Sequence, residues 1–278
     1  MRNPRSWRFA VLAAALGVWL LADRAAAQKD SFPFVILGDR TGEAQPGVYE
    51  RVWRAAAAEN PAFVVSVGDS IEGLNDVTAE DEWRRLEQIL TPYRQIPLFL
   101  APGNHDIWSA RSQAEFAKHA GHAPHYSFDH GQVHMTVLDN SRSDTLPAEE
   151  LRFLEQDLEA HKNQPVKFVV THRPSWLVDA MFQNPRFALH QLAKKYGVQW
   201  VIAGHLHQML EVELDGVTYL SMASAGGHLR GSERYEDGWF FGYAVAAVHG
   251  NEVDFHIKDL AGRVSAPKDW RKVGAEIR

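Results

Sequence analysis

The sequence predicts an α/β sandwich, in which a sheet of buried parallel strands joined by helical crossovers packs on a second, largely antiparallel sheet. Continuous apolar runs rich in β-branched residues recur along the chain, as in strands covered on both faces. Helical patterns fill the gaps between them, and three pairs of short runs flank two-residue turns.

The first element in order is not part of that fold. Arg2, Arg5 and Arg8 make a basic start, residues 9–21 an apolar run, and Ala25-Ala26-Ala27 a small-residue cleavage site. This is the layout of a secretory signal peptide over residues 1–27, leaving a single domain over 28–278 and no transmembrane anchor after cleavage. An uncleaved N-terminal anchor is the other reading. The chain has no cysteine, so the exported domain is held by its core and any bound metal, without disulfides or a lipidated cysteine. Removing residues 1–27 leaves 25 basic against 34 acidic side chains, a net charge of −9. That balance argues against non-specific nucleic-acid binding. An anionic substrate remains compatible, because bound divalent ions reverse the local field.

Residues 34–37, 63–67, 98–100, 167–170 and 200–203 read as buried strands. Alanine-rich Val48–Ala58 reads as the first helix. Thr78 opens a second, with Asp81 in an acidic version of the capping pattern. Residues 147–160 carry Leu151, Leu154 and Leu158 on one face, and residues 186–196 form a helix ended by Gly197. Asp215-Gly216, Gly250-Asn251 and His130-Gly131 mark the hairpins of the second sheet.

Five polar blocks sit where apolar runs end: Gly38-Asp39, Gly68-Asp69, Gly103-Asn104-His105-Asp106, Thr171-His172 and Gly204-His205-Leu206-His207. Their spacings are 30, 35, 68 and 33 residues, and Asp139-Asn140-Ser141 ends a further run halfway along the longest. Each interval fits one or two βαβ crossovers of about 30 residues. Strands linked that way point alike, so their C-terminal ends gather the blocks at one edge.

Two carboxylates, one amide oxygen and four imidazoles suffice for two metal ions with a histidine to spare. Asp69 is a natural bridge, and Asp39, Asn104, His172, His205 and His207 share the remaining positions. His105 is the surplus imidazole, assigned as general acid, with Asp106 to orient it. Singly, a Gly-Asp after a strand is more often a plain turn than a ligand, while Gly-Asn-His-Asp and Gly-His-Leu-His are sharper because two side chains from one tight loop can reach one centre. Their joint register with strand ends is what points to chemistry.

In that order the blocks resemble the calcineurin-like metallophosphoesterases, from about Phe34 to His207. The resemblance implies a double β-sandwich of two packed mixed sheets flanked by helices. It implies Asp39, Asp69 and His207 around one metal and Asp69, Asn104, His172 and His205 around the other, with His105 on the substrate. Most members carry Asp-x-His in the first block, whereas this chain reads Asp39-Arg40-Thr41. Glu72, three residues after Asp69, is the candidate replacement ligand; a solvated loop glutamate or a partner of Arg40 is the alternative. An oxygen-rich first site favours Mn or Fe over Zn.

Arg40 and Arg173 adjoin ligands and are candidates for substrate phosphate, while Arg142 reads as a surface residue. His228 sits on a glycine-rich loop near the last block, and His119, His122, His125, His130 and His134 read as surface or structural. The expectation is an exported phosphoesterase acting on mono- or diesters by direct attack of metal-bound hydroxide, since no nucleophile elbow is present. One rival is a metal-binding module that holds an anionic ligand without turnover. Another is a hydrolase of lipid head groups with Trp108, Trp176, Phe182 and Trp239 as an apolar rim. Nothing in the sequence signals a protein partner.

Overall fold

The computed structural model describes residues 31–267, so the segment 1–27 assigned to a signal peptide lies outside the described residues. The first sheet contains β1 (Ser31–Leu37), β2 (Val64–Ser66), β3 (Leu98–Leu100), β10 (Gly242–His249), β11 (Glu252–Asp259) and β12 (Val264–Ser265), in the order β12-β11-β10-β1-β2-β3. The second contains β4 (Tyr126–His130), β5 (Val133–Val137), β6 (Val166–Val170), β7 (Trp200–Ala203), β8 (Leu210–Leu214) and β9 (Val217–Ser221), in the order β4-β5-β6-β7-β9-β8.

Both sheets are mixed. β1, β2 and β3 run parallel, with β10 antiparallel on β1. β5, β6, β7 and β9 run parallel, with β4 and β8 antiparallel at the edges. The double sandwich is therefore as expected, but the strands are shared out differently. The parallel strands do not form one sheet, and each sheet takes its own hairpins.

Alternation along the strands sets the layers. Phe34 and Ile36 point into the space between the sheets, where they meet Phe168, Val170, Ile202 and Ala244. Val35 and Leu37 point outward under α1 (Val48–Ala58), α2 (Ala79–Leu90) and α3 (Ala110–Ala120), through Trp53, Trp83 and Phe116. On the other side Val169, Val201 and Tyr219 lie under α4 (Ala148–Ala160) and α6 (Ala188–Tyr196), through Leu154, Leu158 and Leu189. A short helix, α5 (Leu177–Met181), follows β6. Each such fully buried large side chain contributes about 1.5–3 kcal/mol before entropy is counted.

α1 matches its expected bounds, and α6 ends at Gly197 with φ of 68°. Thr78 does not cap α2 in the expected way: its hydroxyl donates to Glu82 rather than accepting from the backbone. α3 was not legible because Ser112 stands at the position usually held by Glu or Gln. It nonetheless closes a reciprocal capping box with Ser109.

Candidate metal centre

Asp39 follows β1, Asp69 follows β2, and Asn104 and His105 follow β3. From the other sheet, His172 follows β6 and His205 and His207 follow β7. The two sheets thus bring their C-terminal strand ends to one place. Ligand atoms of Asp39, Asp69 and His207 lie within 4.8 Å of one another, as do those of Asp69, His172 and His205. Asp69 belongs to both groups. Asn104 Oδ1 is 3.0 Å from His172 Nε2, which places the amide with the second group.

The backbone is bent to achieve this. Asp69, His205 and His207 have φ of 54°, 69° and 60°, in the left-handed region that L-residues adopt only when their surroundings compel it. The glycines of the blocks leave room for the ligands. A Cβ at Gly103 would lie 2.2 Å from Asp69 Oδ1, and one at Gly204 would lie 2.3 Å from Asp39 Oδ1.

Hydrogen bonds to the backbone fix which imidazole nitrogen is free. His172 Nδ1 is 2.9 Å from the Val67 carbonyl, and His207 Nδ1 is 2.6 Å from the His228 carbonyl. A carbonyl only accepts, so both Nδ1 atoms carry the proton and, in the neutral rings, both Nε2 lone pairs face inward. There His172 Nε2 meets Asp69 Oδ1 at 3.3 Å and His207 Nε2 meets Asp39 Oδ2 at 3.3 Å. Asp69 Oδ2 and His205 Nδ1 are buried without a hydrogen-bond partner. A buried set of acceptors aimed at one another requires cations, and this mixed oxygen and imidazole set fits divalent metal ions.

Without metals, protons take their place. Burial opposes charge on both Asp69 and His172, but each stabilises the charged form of the other. Asp69 is held below the usual carboxylate range and His172 is raised to about 9. His205 is pushed down to about 4 by burial and the neighbouring His172. His207 is raised: burial lowers it, and the Asp39 carboxylate more than offsets that.

The remaining candidates fall into two sets. His105 stays at the centre: its backbone N–H donates to Asp69 Oδ1 at 2.9 Å and its Nδ1 lies 2.5 Å from the Glu72 carbonyl, leaving Nε2 free. Asp106 does not orient that ring. Its fully buried carboxylate accepts from the N–H groups of Gly103, Ser70 and Ile71, stapling the β2 and β3 loops together. Burial and the charge of Asp69 push it up to about 7, against those backbone bonds.

Glu72 does not join either ligand group, because its carboxylate turns away to accept from the N–H groups of Glu43 and Ala44. Thr41 is equally occupied, its buried hydroxyl donating to the carbonyls of Asp69 and Ile71. Arg40 donates to the Ser70 carbonyl beneath the Tyr49 ring, and Arg173 to Ser141 and Asp144. Arg173 nonetheless lies close enough for its charge to help lower His205. Trp176 is wholly buried against Tyr219 and is core rather than rim, whereas Phe182 is exposed. Of the histidines outside the blocks, His134 is buried between Asp129 and Asp157, and His119 and His125 pair with Glu87 and Glu150.

Two residues with no motif signal support the centre. Asn140 Oδ1 accepts the backbone N–H of both His172 and Arg173, at 3.0 Å each. Asn140 belongs to the strand end that the block spacing singled out. Arg230 reaches His207 and His205 from a distant loop.

The lupin (Lupinus luteus) purple acid phosphatase PPD1 shares this fold at 16% identity and a TM-score of 0.65, over 85% of this chain and 53% of that one. The chain therefore spans about half the length of that phosphatase. GAP50, described as the anchor in the inner membrane complex of Plasmodium, matches at 17% identity and a TM-score of 0.60, over 85% of this chain and 88% of that one. A putative 5'-nucleotidase from Staphylococcus aureus matches at 11% identity and a TM-score of 0.50, over 85% and 52%. No curated protein matches the chain. The family model of the calcineurin-like phosphoesterases matches residues 32–209, from β1 through the last histidine block, and the chain belongs to that family.

Proposed function

We propose that this protein is an exported, dinuclear metal-dependent phosphoesterase. It would hydrolyse phosphomonoesters or phosphodiesters by direct attack of a water-derived nucleophile, with no covalent enzyme intermediate. The observation that carries the reading is Asp69, a carboxylate shared by two ligand groups with one oxygen buried and partnerless. Asp39, Asp69 and His207 would hold one ion, and Asp69, Asn104, His172 and His205 the other. Bound divalent ions of Mn, Fe or Zn would polarise the ester and lower the pKa of water.

The chain's own groups do the rest. His105 Nε2 protonates the leaving oxygen, with Nδ1–H held by the Glu72 carbonyl so that the ring cannot turn. The Val67 and His228 carbonyls keep the ligating lone pairs of His172 and His207 inward. Export rests on the N-terminal pattern of the sequence.

The rival reading, a binding module without turnover, is favoured by Thr41, whose engaged hydroxyl leaves the first group three side chains. The shared fold does not decide between them, since it holds both a phosphatase and a protein described as an anchor. Activity of the purified domain on alkyl and aryl phosphates with Mn²⁺, Zn²⁺, Mg²⁺ and Fe decides it. Turnover is expected. In His105→Ala, kcat should fall about 10²–10⁴-fold for an alkyl ester and less for an aryl ester, which leaves without a proton, with metal content unchanged. No turnover with any metal would carry the binding reading instead.

A further inference from the structure

The first ligand group has an arginine beside it that no motif marks. The loop after β9 lies along the first block. The N–H groups of Ala225 and Gly227 donate to the Asp39 carbonyl, and that of His228 donates to Gly42. Gly227 permits the approach, since a Cβ there would lie 2.4 Å from His207 Cε1. Three residues on, Arg230 reaches back. One guanidinium nitrogen donates to the His205 carbonyl at 3.1 Å, and the other lies 3.5 Å from His207 Nε2. Gly42, next to Thr41, makes space for it: a Cβ at Gly42 would lie 3.2 Å from that second nitrogen.

Among the described residues the hydrogen-bond partners of the Arg230 guanidinium are the His205 carbonyl and His207 Nε2, and its side chain is exposed. Arg40 already donates to the Ser70 carbonyl, and Arg173 to the Ser141 carbonyl and the Asp144 carboxylate. A guanidinium has five donors, no lone pair and a permanent charge. It cannot ligate a metal, and next to ligating atoms its natural partner is an anion.

We propose that Arg230 is the phosphate-binding arginine of this centre, holding a non-bridging phosphoryl oxygen of the substrate at the first metal position. The proposal rests on the phosphoesterase reading and names the residue that recognises the phosphoryl group there. It also assigns a use to the space beside Thr41. Asp39, Asp69 and His207 would hold the first ion, and a phosphoryl oxygen bound to that ion would lie within reach of a guanidinium 3.5 Å from His207 Nε2. Lysine would supply the charge without the two-pronged geometry.

Calorimetric binding of inorganic phosphate to the metal-loaded protein tests this, with metal per chain counted on the same samples. In Arg230→Ala, phosphate should bind about 10- to 100-fold more weakly, the worth of one charge-assisted contact, with metal per chain unchanged. Arg230→Lys should fall between, and KM for a phosphate ester should rise in parallel in both variants. Unaltered phosphate affinity in Arg230→Ala, in a wild type that turns over substrate, sinks the arginine assignment alone. Loss of metal in Arg230→Ala sinks it too, because the side chain would then act through the ions. A wild type that neither binds phosphate nor turns over with any metal sinks this assignment together with the phosphoesterase reading.

Discussion

Thr41 stands where the family resemblance leads one to expect a histidine, and its hydroxyl is turned into the backbone. That loss was legible in the sequence, but its consequence was not. Glu72 has the right offset from Asp69, yet two unpaired N–H groups at Glu43 and Ala44 lie closer to hand and take its carboxylate. Asp106 shows the same competition. Adjacency to His105 suggested an orienting role, whereas three backbone donors from two loops converge on its carboxylate. Such partners come from residues far apart in sequence and leave no local pattern. Asp106→Ala would strand all three donors in a buried place. Stability of the metal-free protein should fall by about 3–5 kcal/mol, read by denaturant unfolding. A loss under about 1 kcal/mol would mean that the loops hold together without the staple.

At the scale of elements, the β4–β5 hairpin is tied to α4 by a buried polar network. His134 Nδ1 meets Asp129 at 2.7 Å, on β4, and its Nε2 meets Asp157 at 2.9 Å, on α4. Thr136 and Ser127 donate to the same Asp157 carboxylate, and the His161 ring stacks on His134 at 4.0 Å. The leucine face of α4 was readable from spacing, but the pairing of a strand histidine with a helix aspartate exists only in the fold. Burial disfavours the charged His134 ring, yet its two carboxylate partners raise it above its ordinary 6.5. Burial likewise disfavours the Asp157 carboxylate, yet His134 and the two hydroxyls lower it below 3.8. The raised histidine stabilises fully below about pH 6.5 and loses that contribution as pH rises through its folded value. The lowered aspartate stabilises above about pH 4 and loses its contribution as pH falls. In protein saturated with divalent metal, which would take up the site histidines, His134→Gln should therefore be about 1–3 kcal/mol less stable than wild type between pH 4 and 6.5. The gap should narrow as pH rises above 7. A gap that stays constant from pH 5 to 9 would show that packing, not charge, is what the ring supplies.

For the molecule as a whole, two packed sheets with flanking helices were legible, but the division of strands between them was not. Parallel strands in both sheets are covered on both faces, so β1 and β6 carry the same continuous apolar pattern. A crossover of about 30 residues looks alike whether it returns to its own sheet or passes to the other. The site survived this ambiguity because its legibility depends only on strand ends meeting at one edge, which holds for either partition. The same convergence couples the site to global stability. Asp39 and Asp69 come from one sheet, His172 and His207 from the other, all four fully buried. Metal ions would cross-link the sheets, and their removal would leave inward-facing acceptors to be neutralised by protons alone. Chelation should therefore lower Tm at neutral pH, and readdition of a divalent ion should restore it. The gain should grow with the logarithm of free metal concentration, reaching about 2.7 kcal/mol per ion at a hundredfold excess over Kd. Because His172 is raised to about 9 in the metal-free state, protons replace metal best at lower pH, and the chelation effect should deepen as pH climbs from 6 to 9. Scanning calorimetry with and without chelator reads both trends, and a Tm indifferent to chelator at pH 9 would mean that the sheets are not joined through metal at all.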